Sequence, residues 1–294
     1  MNMESRLVAP RPVSGLSELA ADYDLILCDV WGVLHNGLAA YAAAGEALTR
    51  ARDGGAKVVL VSNAPRPNAF IITMLDKLGV PRSAYDGVVT SGDVTQEVLS
   101  GHPGARMYHI GPSRDLPTFD GLDLQLSGPD EADLIVCTGL FDDEVETAED
   151  YRASLTALKA RHVPFICANP DIVVERGDKL IYCAGAIAQL YDQLGGHTVY
   201  CGKPHKPIYD TALARAAALP GPLPAEPKVL CIGDALRTDI MGATAAGFDS
   251  LFIASGIHAA ELGAEGGAEP NVEALANLFT GHAHPRGVMP RLAW

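Results

Sequence analysis

Basic residues are scarce in this chain. Lys and Arg total 22 against 36 Asp and Glu in 294 residues, a formal net charge of −14. So acidic a protein is a poor partner for nucleic acid or an anionic membrane. It also repels phosphorylated metabolites at long range, so a phosphate site here needs a locally positive pocket or a metal. C-x-x-C spacing is missing among the six cysteines, Cys28, Cys137, Cys167, Cys183, Cys201 and Cys231. Most lie in or beside apolar, strand-like runs, as small buried hydrophobes do in a reducing compartment. No apolar run reaches the roughly 18 residues of a membrane span. The stretch from Met1 to Glu18 is polar and contains proline, with no apolar signal-peptide core. Repeats and low-complexity tracts are also missing. These absences predict a soluble, cytoplasmic protein with neither nucleic acid nor membrane as partner.

What is present predicts an α/β fold. The length suffices for two domains, and 48% hydrophobic residues supply a sizeable core. Short apolar runs alternate with helical patterns: strands at 24–28, 57–61, 228–232 and 250–254, helices at 41–53, 67–78 and 238–246. This alternation implies a Rossmann-like, doubly wound parallel sheet covered on both faces. The middle has its own alternation, with strands at 106–110, 133–137 and 163–167 and helices at 147–161 and 183–194. It reads as an inserted α/β domain over 103–197, within a discontinuous core of 1–102 and 198–294.

Chemistry-bearing residues fall at strand ends. Asp29 ends the first strand, Ser62-Asn63 the second, and Gly233-Asp234 a late one. Open parallel sheets bind ligands outside the carboxyl ends of their strands, which predicts one crevice for all three. Lys203 lies on a Gly/Pro-constrained loop, Cys201-Gly-Lys-Pro-His205, before a helix. Two carboxylates, Asp29 and Asp234, suit an octahedral Mg²⁺ that keeps waters and a phosphate oxygen. A carboxylate can also attack phosphorus. Ser62 and the backbone N–H groups near it and Asp29 can hold phosphoryl oxygens, with Lys203 as a nearby positive charge.

These residues resemble the haloacid dehalogenase (HAD) superfamily of aspartate-nucleophile hydrolases. Within it the chain is similar to class IIA, the group of p-nitrophenyl phosphatases, pyridoxal phosphatase and phosphoglycolate phosphatases. The likeness rests on Asp29-Val-Trp-Gly-Val-Leu34, Val61-Ser-Asn63 with Pro65-Arg66, Gly202-Lys-Pro204, and Gly233-Asp234 with Thr238-Asp239. It implies a C2-type cap at the insert and a small phosphorylated metabolite as substrate. Asp29 would be nucleophile and Mg²⁺ ligand, joined by Asp234 and the Trp31 backbone carbonyl. Ser62 and Asn63 would bind the phosphoryl group, Gly32 would allow close backbone approach, and Lys203 would stabilise charge. Asp239 would position Lys203 or a metal-bound water. Asn169 and Asp171, in Ala168-Asn-Pro-Asp171, sit where such caps present a substrate-facing loop; a simple turn is the other reading. Caps of this class also admit a homodimer.

One part is missing. Phosphatases of this superfamily carry aspartate two residues after the nucleophile, to protonate the leaving oxygen and then activate water. Here that position is Trp31, whose indole can do neither. Three readings stay open: a phosphatase with good leaving groups or a substitute acid/base, His35 or His205; a different reaction of the same nucleophile; and a phosphate- and Mg²⁺-binding sensor or scaffold with impaired catalysis.

Overall fold

The computed structural model describes residues 9–176, 179–282 and 284–294, so the first eight residues of the polar N-terminal stretch lie outside it. Along the chain come β1 (Leu25–Cys28), α1 (Ala42–Asp53), β2 (Lys57–Ser62), α2 (Asn68–Leu78), β3 (Gly87–Thr90) and α3 (Ser91–Ser100). Next are β4 (Ala105–Ile110), β5 (Leu124–Leu126), β6 (Leu134–Cys137), α4 (Arg152–Ala160), β7 (Phe165–Cys167), β8 (Val173–Arg176) and β9 (Lys179–Tyr182). Then follow α5 (Ala184–Gln193), β10 (Thr198–Tyr200), α6 (Lys206–Ala218), β11 (Val229–Gly233) and α7 (Met241–Ala246). The chain closes with β12 (Asp249–Ile253), α8 (Ala259–Leu262), α9 (Val272–Leu278) and β13 (Gly287–Met289).

A six-stranded sheet has the order β13-β12-β11-β1-β2-β3. Its β1–β2, β1–β11, β11–β12 and β12–β13 pairs are parallel. β1, β2 and β11 are buried along their whole length. A parallel strand covered on both faces needs such an unbroken apolar run. The register sets Cys28 opposite Leu60 on one side and Ile232 on the other. β11 and β2 run one and two residues past the level of Cys28, and because the three strands are parallel the residues that follow them leave from one edge.

A second parallel sheet has the order β10-β7-β6-β4-β5, and β8 and β9 form a separate antiparallel hairpin. Its core packs Phe165 against Tyr191, ring centroids 5.3 Å apart, with Leu155 and Ile187 around them. The chain divides into two units, 1–61, 75–87 and 212–294 in one, 62–74 and 88–211 in the other.

Several predicted elements differ from their patterns at their ends. The strand expected over 163–167 begins at Phe165, because Pro164 has no N–H for the ladder; its carbonyl accepts from Ile135 N at 2.9 Å. The helix expected over 147–161 opens as a 3-10 turn, Ala148–Tyr151, before α4. That expected over 238–246 starts earlier, as a wide π turn over Leu236–Ile240 that runs into α7.

Lys57, at the start of β2, is buried. Its Nζ donates to the carbonyls of Ala216, Leu219 and Gly221 at 3.2, 3.0 and 3.0 Å. These carbonyls lie at and beyond the C-terminal end of α6, where a cation also opposes the helix dipole. The six cysteines are buried. Burial pushes the Cys137 and Cys167 thiols well up and that of Cys201 to about 11, as inert core residues require. Among the described residues no helix is long and apolar enough to cross a membrane.

Candidate active site

Asp29 leaves β1 with its N–H bonded to the Ile232 carbonyl at 2.8 Å, and its side chain is only 9% exposed. The chain then turns sharply. Leu34 N reaches back to the Val30 carbonyl at 2.9 Å and Gly32 N to the His35 carbonyl at 2.8 Å. Gly32 has φ +80°, and a Cβ there would stand 2.1 Å from Asp234 Oδ2. Only glycine fits that turn against that carboxylate.

Asp234 follows β11. Its Oδ2 accepts the Ile257 N–H at 2.8 Å, from the segment after β12. Gly256 in that segment is as constrained as Gly32, since a Cβ would lie 1.8 Å from the same oxygen. Asp239 comes from the π turn, and its Oδ2 accepts the Ala235 N–H at 3.0 Å. One oxygen from each of Asp29, Asp234 and Asp239 lies within 4.8 Å of the others, and all three residues are buried. A buried oxygen-only set with this much negative charge fits a hard divalent cation rather than zinc or copper. Asp239, expected in a supporting role, thus stands with the two expected ligands. The Ser255–His258 segment was missed, although a loop following a parallel strand is where the strand-end rule points.

The indole of Trp31 lies on its own loop. It meets the His35 ring edge-on, centroids 5.1 Å apart at 74°. Gly37 has φ +86°, and a Cβ on it would come within 2.6 Å of the indole Cη2. His35 is fully buried, and its Nδ1 accepts the Gly37 N–H at 2.9 Å. The proton is therefore on Nε2, which has no hydrogen-bond partner among the described residues. Burial lowers the His35 pKa to about 4, so the ring is neutral at ordinary pH. His205 stacks on Tyr200 at 4.4 Å, and burial lowers its pKa too.

His35 makes stability depend on pH. Its folded pKa, about 4, lies below its ordinary value of 6.5, so between the two the unfolded chain binds more protons. The contribution is whole above pH 6.5 and is lost as pH falls toward 4, up to about 3 kcal/mol. Urea unfolding of wild type and His35→Gln at both ends of this window is expected to show the larger loss in wild type. Equal losses would remove His35 from the account.

The other expected residues belong to the second unit. Ser62, the last residue of β2, is buried, and its Oγ accepts the Ala64 N–H at 3.2 Å. The Asn63 side chain bonds Lys203 on both backbone groups, Oδ1 accepting its N–H at 2.7 Å and Nδ2 donating to its carbonyl at 3.1 Å. Nδ2 also donates to Asp171 Oδ1 at 2.8 Å, and Asn169 Oδ1 accepts the Asp171 N–H at 3.1 Å. Lys203 itself is 4% exposed, far below a surface lysine. Arg66 Nε donates to the buried Asp115 at 2.7 Å, a partner with no signal in its irregular stretch of sequence.

Two family models match the chain, one described as haloacid dehalogenase-like hydrolase over residues 26–125 and one as HAD-hydrolase-like over 200–278. A solved haloacid dehalogenase-like hydrolase from Brucella suis is 45% identical, with a TM-score of 0.81 over 95% of this chain and 99% of that one. The D-glycerol 3-phosphate phosphatase of Mycobacterium tuberculosis is 28% identical over 83% of this chain and 67% of its own length. A glycerol phosphate phosphatase from that organism, solved in complex with magnesium, is 25% identical, with a TM-score of 0.63 over 88% of this chain and 78% of that one. With a strand-end carboxylate cluster and a relative matched nearly end to end, the chain belongs to the haloacid dehalogenase-like family of hydrolases.

Proposed function

We propose that the protein is a Mg²⁺-dependent phosphatase of small phosphorylated metabolites that works through an aspartyl-phosphate on Asp29. The observation that carries this reading is the buried cluster of Asp29, Asp234 and Asp239. Three carboxylates so close are costly to bury unless a cation accompanies them. The magnesium complex of the related glycerol phosphate phosphatase supports Mg²⁺ as that cation.

Asp29, Asp234, Asp239 and the Trp31 carbonyl would hold the ion. When bound, Mg²⁺ supplies charge neutralisation and orientation for a phosphate oxygen. Asp29 would attack phosphorus with a carboxylate oxygen; the P–O bond to the leaving group breaks, and water later releases the phosphate from Asp29. Ser62 and the backbone N–H groups after it bind phosphoryl oxygens, and Lys203 offsets their charge. The 103–197 block is assigned as a C2-type cap that restricts entry to small substrates. Trp31 brings no proton to either half-reaction, so both depend on the substrate's own leaving group or on water.

The test is phosphate release across a broad phosphometabolite panel, with Mg²⁺ and with EDTA. Turnover that needs Mg²⁺ is expected for at least one member. Saturable Mg²⁺-dependent phosphate binding with no turnover anywhere would replace this reading with that of a sensor.

A further inference from the structure

Asn63 directly follows the residue assigned to the phosphoryl group, yet its side chain is spent within the protein. An asparagine amide offers one acceptor and two donor hydrogens. Here Oδ1 takes the Lys203 N–H, and Nδ2 serves both the Lys203 carbonyl and Asp171. Holding N–H and C=O of one residue together fixes the backbone from which the Lys203 ammonium extends. Gly202 keeps this contact short, since a Cβ there would lie 2.4 Å from Asn63 Oδ1.

The bond to Asp171 decides which way the amide faces. A carboxylate only accepts, so it draws Nδ2 toward itself, and this leaves Oδ1 for the Lys203 N–H. Asp171 is itself held. Its N–H bonds to Asn169 Oδ1, and its carbonyl accepts the Gly185 N–H at 3.1 Å. A Cβ on Gly185 would stand 2.2 Å from the Pro170 carbonyl oxygen, so the 169–171 loop lies directly on the start of α5.

We infer that Asn63 and Asp171 form a positioning pair: Asp171 orients the Asn63 amide, and the amide sets the backbone of Lys203. On the proposed phosphatase reading, on which this inference rests, the 169–171 loop acts on catalysis through Lys203 rather than by touching substrate.

A swap tests it. In Asn63→Asp two carboxylates face each other, and one also faces the Lys203 carbonyl. In the double variant Asn63→Asp/Asp171→Asn the carboxamide returns on the other side and donates to residue 63, while the Lys203 N–H keeps its acceptor. With p-nitrophenyl phosphate and Mg²⁺, Asn63→Asp is expected to lower kcat by about 10²-fold with KM nearly unchanged. Asp171→Asn alone, which keeps the contact without its charge, is expected to lower kcat about fivefold. The double variant is expected to recover about tenfold or more over Asn63→Asp. A double variant no better than Asn63→Asp overturns the inference. So does an Asp171→Asn whose KM rises at constant kcat, because that marks contact with substrate. If Asn63→Asp does not fold, Asn63→Ser carries the same split, and an unchanged kcat overturns the inference. Calorimetric binding of inorganic phosphate with Mg²⁺ repeats the cycle without turnover. Rescue of binding in a protein that hydrolyses nothing refutes the phosphatase reading alone, and binding without rescue refutes the pair.

Discussion

Asp29→Asn is expected to lower Mg²⁺-dependent hydrolysis of p-nitrophenyl phosphate by about 10⁴-fold, the scale on which enzymes lose turnover with their nucleophile. The carboxamide is nearly isosteric, so the tight turn at Gly32 and the bond from residue 29 N to the Ile232 carbonyl survive. What is lost is a charged oxygen able to attack phosphorus, together with one negative charge of the cluster. Asp239→Asn separates these two losses. It removes a charge from the same cluster but no nucleophile, so raising Mg²⁺ is expected to restore much of its activity and none of that of Asp29→Asn. Trapping of a base-labile phosphoenzyme in wild type, and its absence in Asp29→Asn, checks the covalent step directly. Asp29→Asn activity within tenfold of wild type would sink the nucleophile assignment.

The acidic cluster was legible because its signal is local. A carboxylate directly after a buried apolar run stands out at Asp29 and again at Asp234, and parallel-strand geometry says where such residues point. The glycines agree with it, since Gly32 and Gly256 are each required by the space beside Asp234. The bonds of Asn63 were not legible. They join residues 63, 171 and 203, and no pattern in a single sequence states which of its possible partners an amide takes. The three bonds of Lys57 to the end of α6 were hidden for the same reason. Elements such as β5, β10 and β13 are three residues long, too short for any periodicity to declare itself. In β9 burial alternates, with Ile181 buried between exposed Leu180 and Tyr182, but all three residues are apolar, so the sequence shows no polar–apolar alternation.

The rate is expected to fall steeply as the leaving group becomes more basic, with aryl phosphates exceeding alkyl phosphates in kcat/KM by about 10²–10⁴, the usual contribution of a general acid. Residues 30–40 contain one titratable side chain, His35, and it is poorly placed to act as that acid. It is fully buried and neutral, with Nδ1 already occupied by the Gly37 N–H. The indole that replaces the expected carboxylate packs on Gly37 and His35. Its N–H has no proton to give near neutral pH. Substituted phenyl phosphates and glycerol 3-phosphate, an alkyl ester, provide the series. Log kcat/KM plotted against leaving-group pKa should slope steeply downward. Trp31→Asp is expected to flatten the slope by raising alkyl turnover more than aryl. It should also lower stability by about 2–3 kcal/mol, because the space beside Gly37 and His35 loses its filling. A flat slope in wild type, with glycerol 3-phosphate cleaved as fast as p-nitrophenyl phosphate, would falsify this account of Trp31. A proton would then be reaching the leaving oxygen from a group outside residues 30–40, and the pH profile of alkyl turnover would report its pKa.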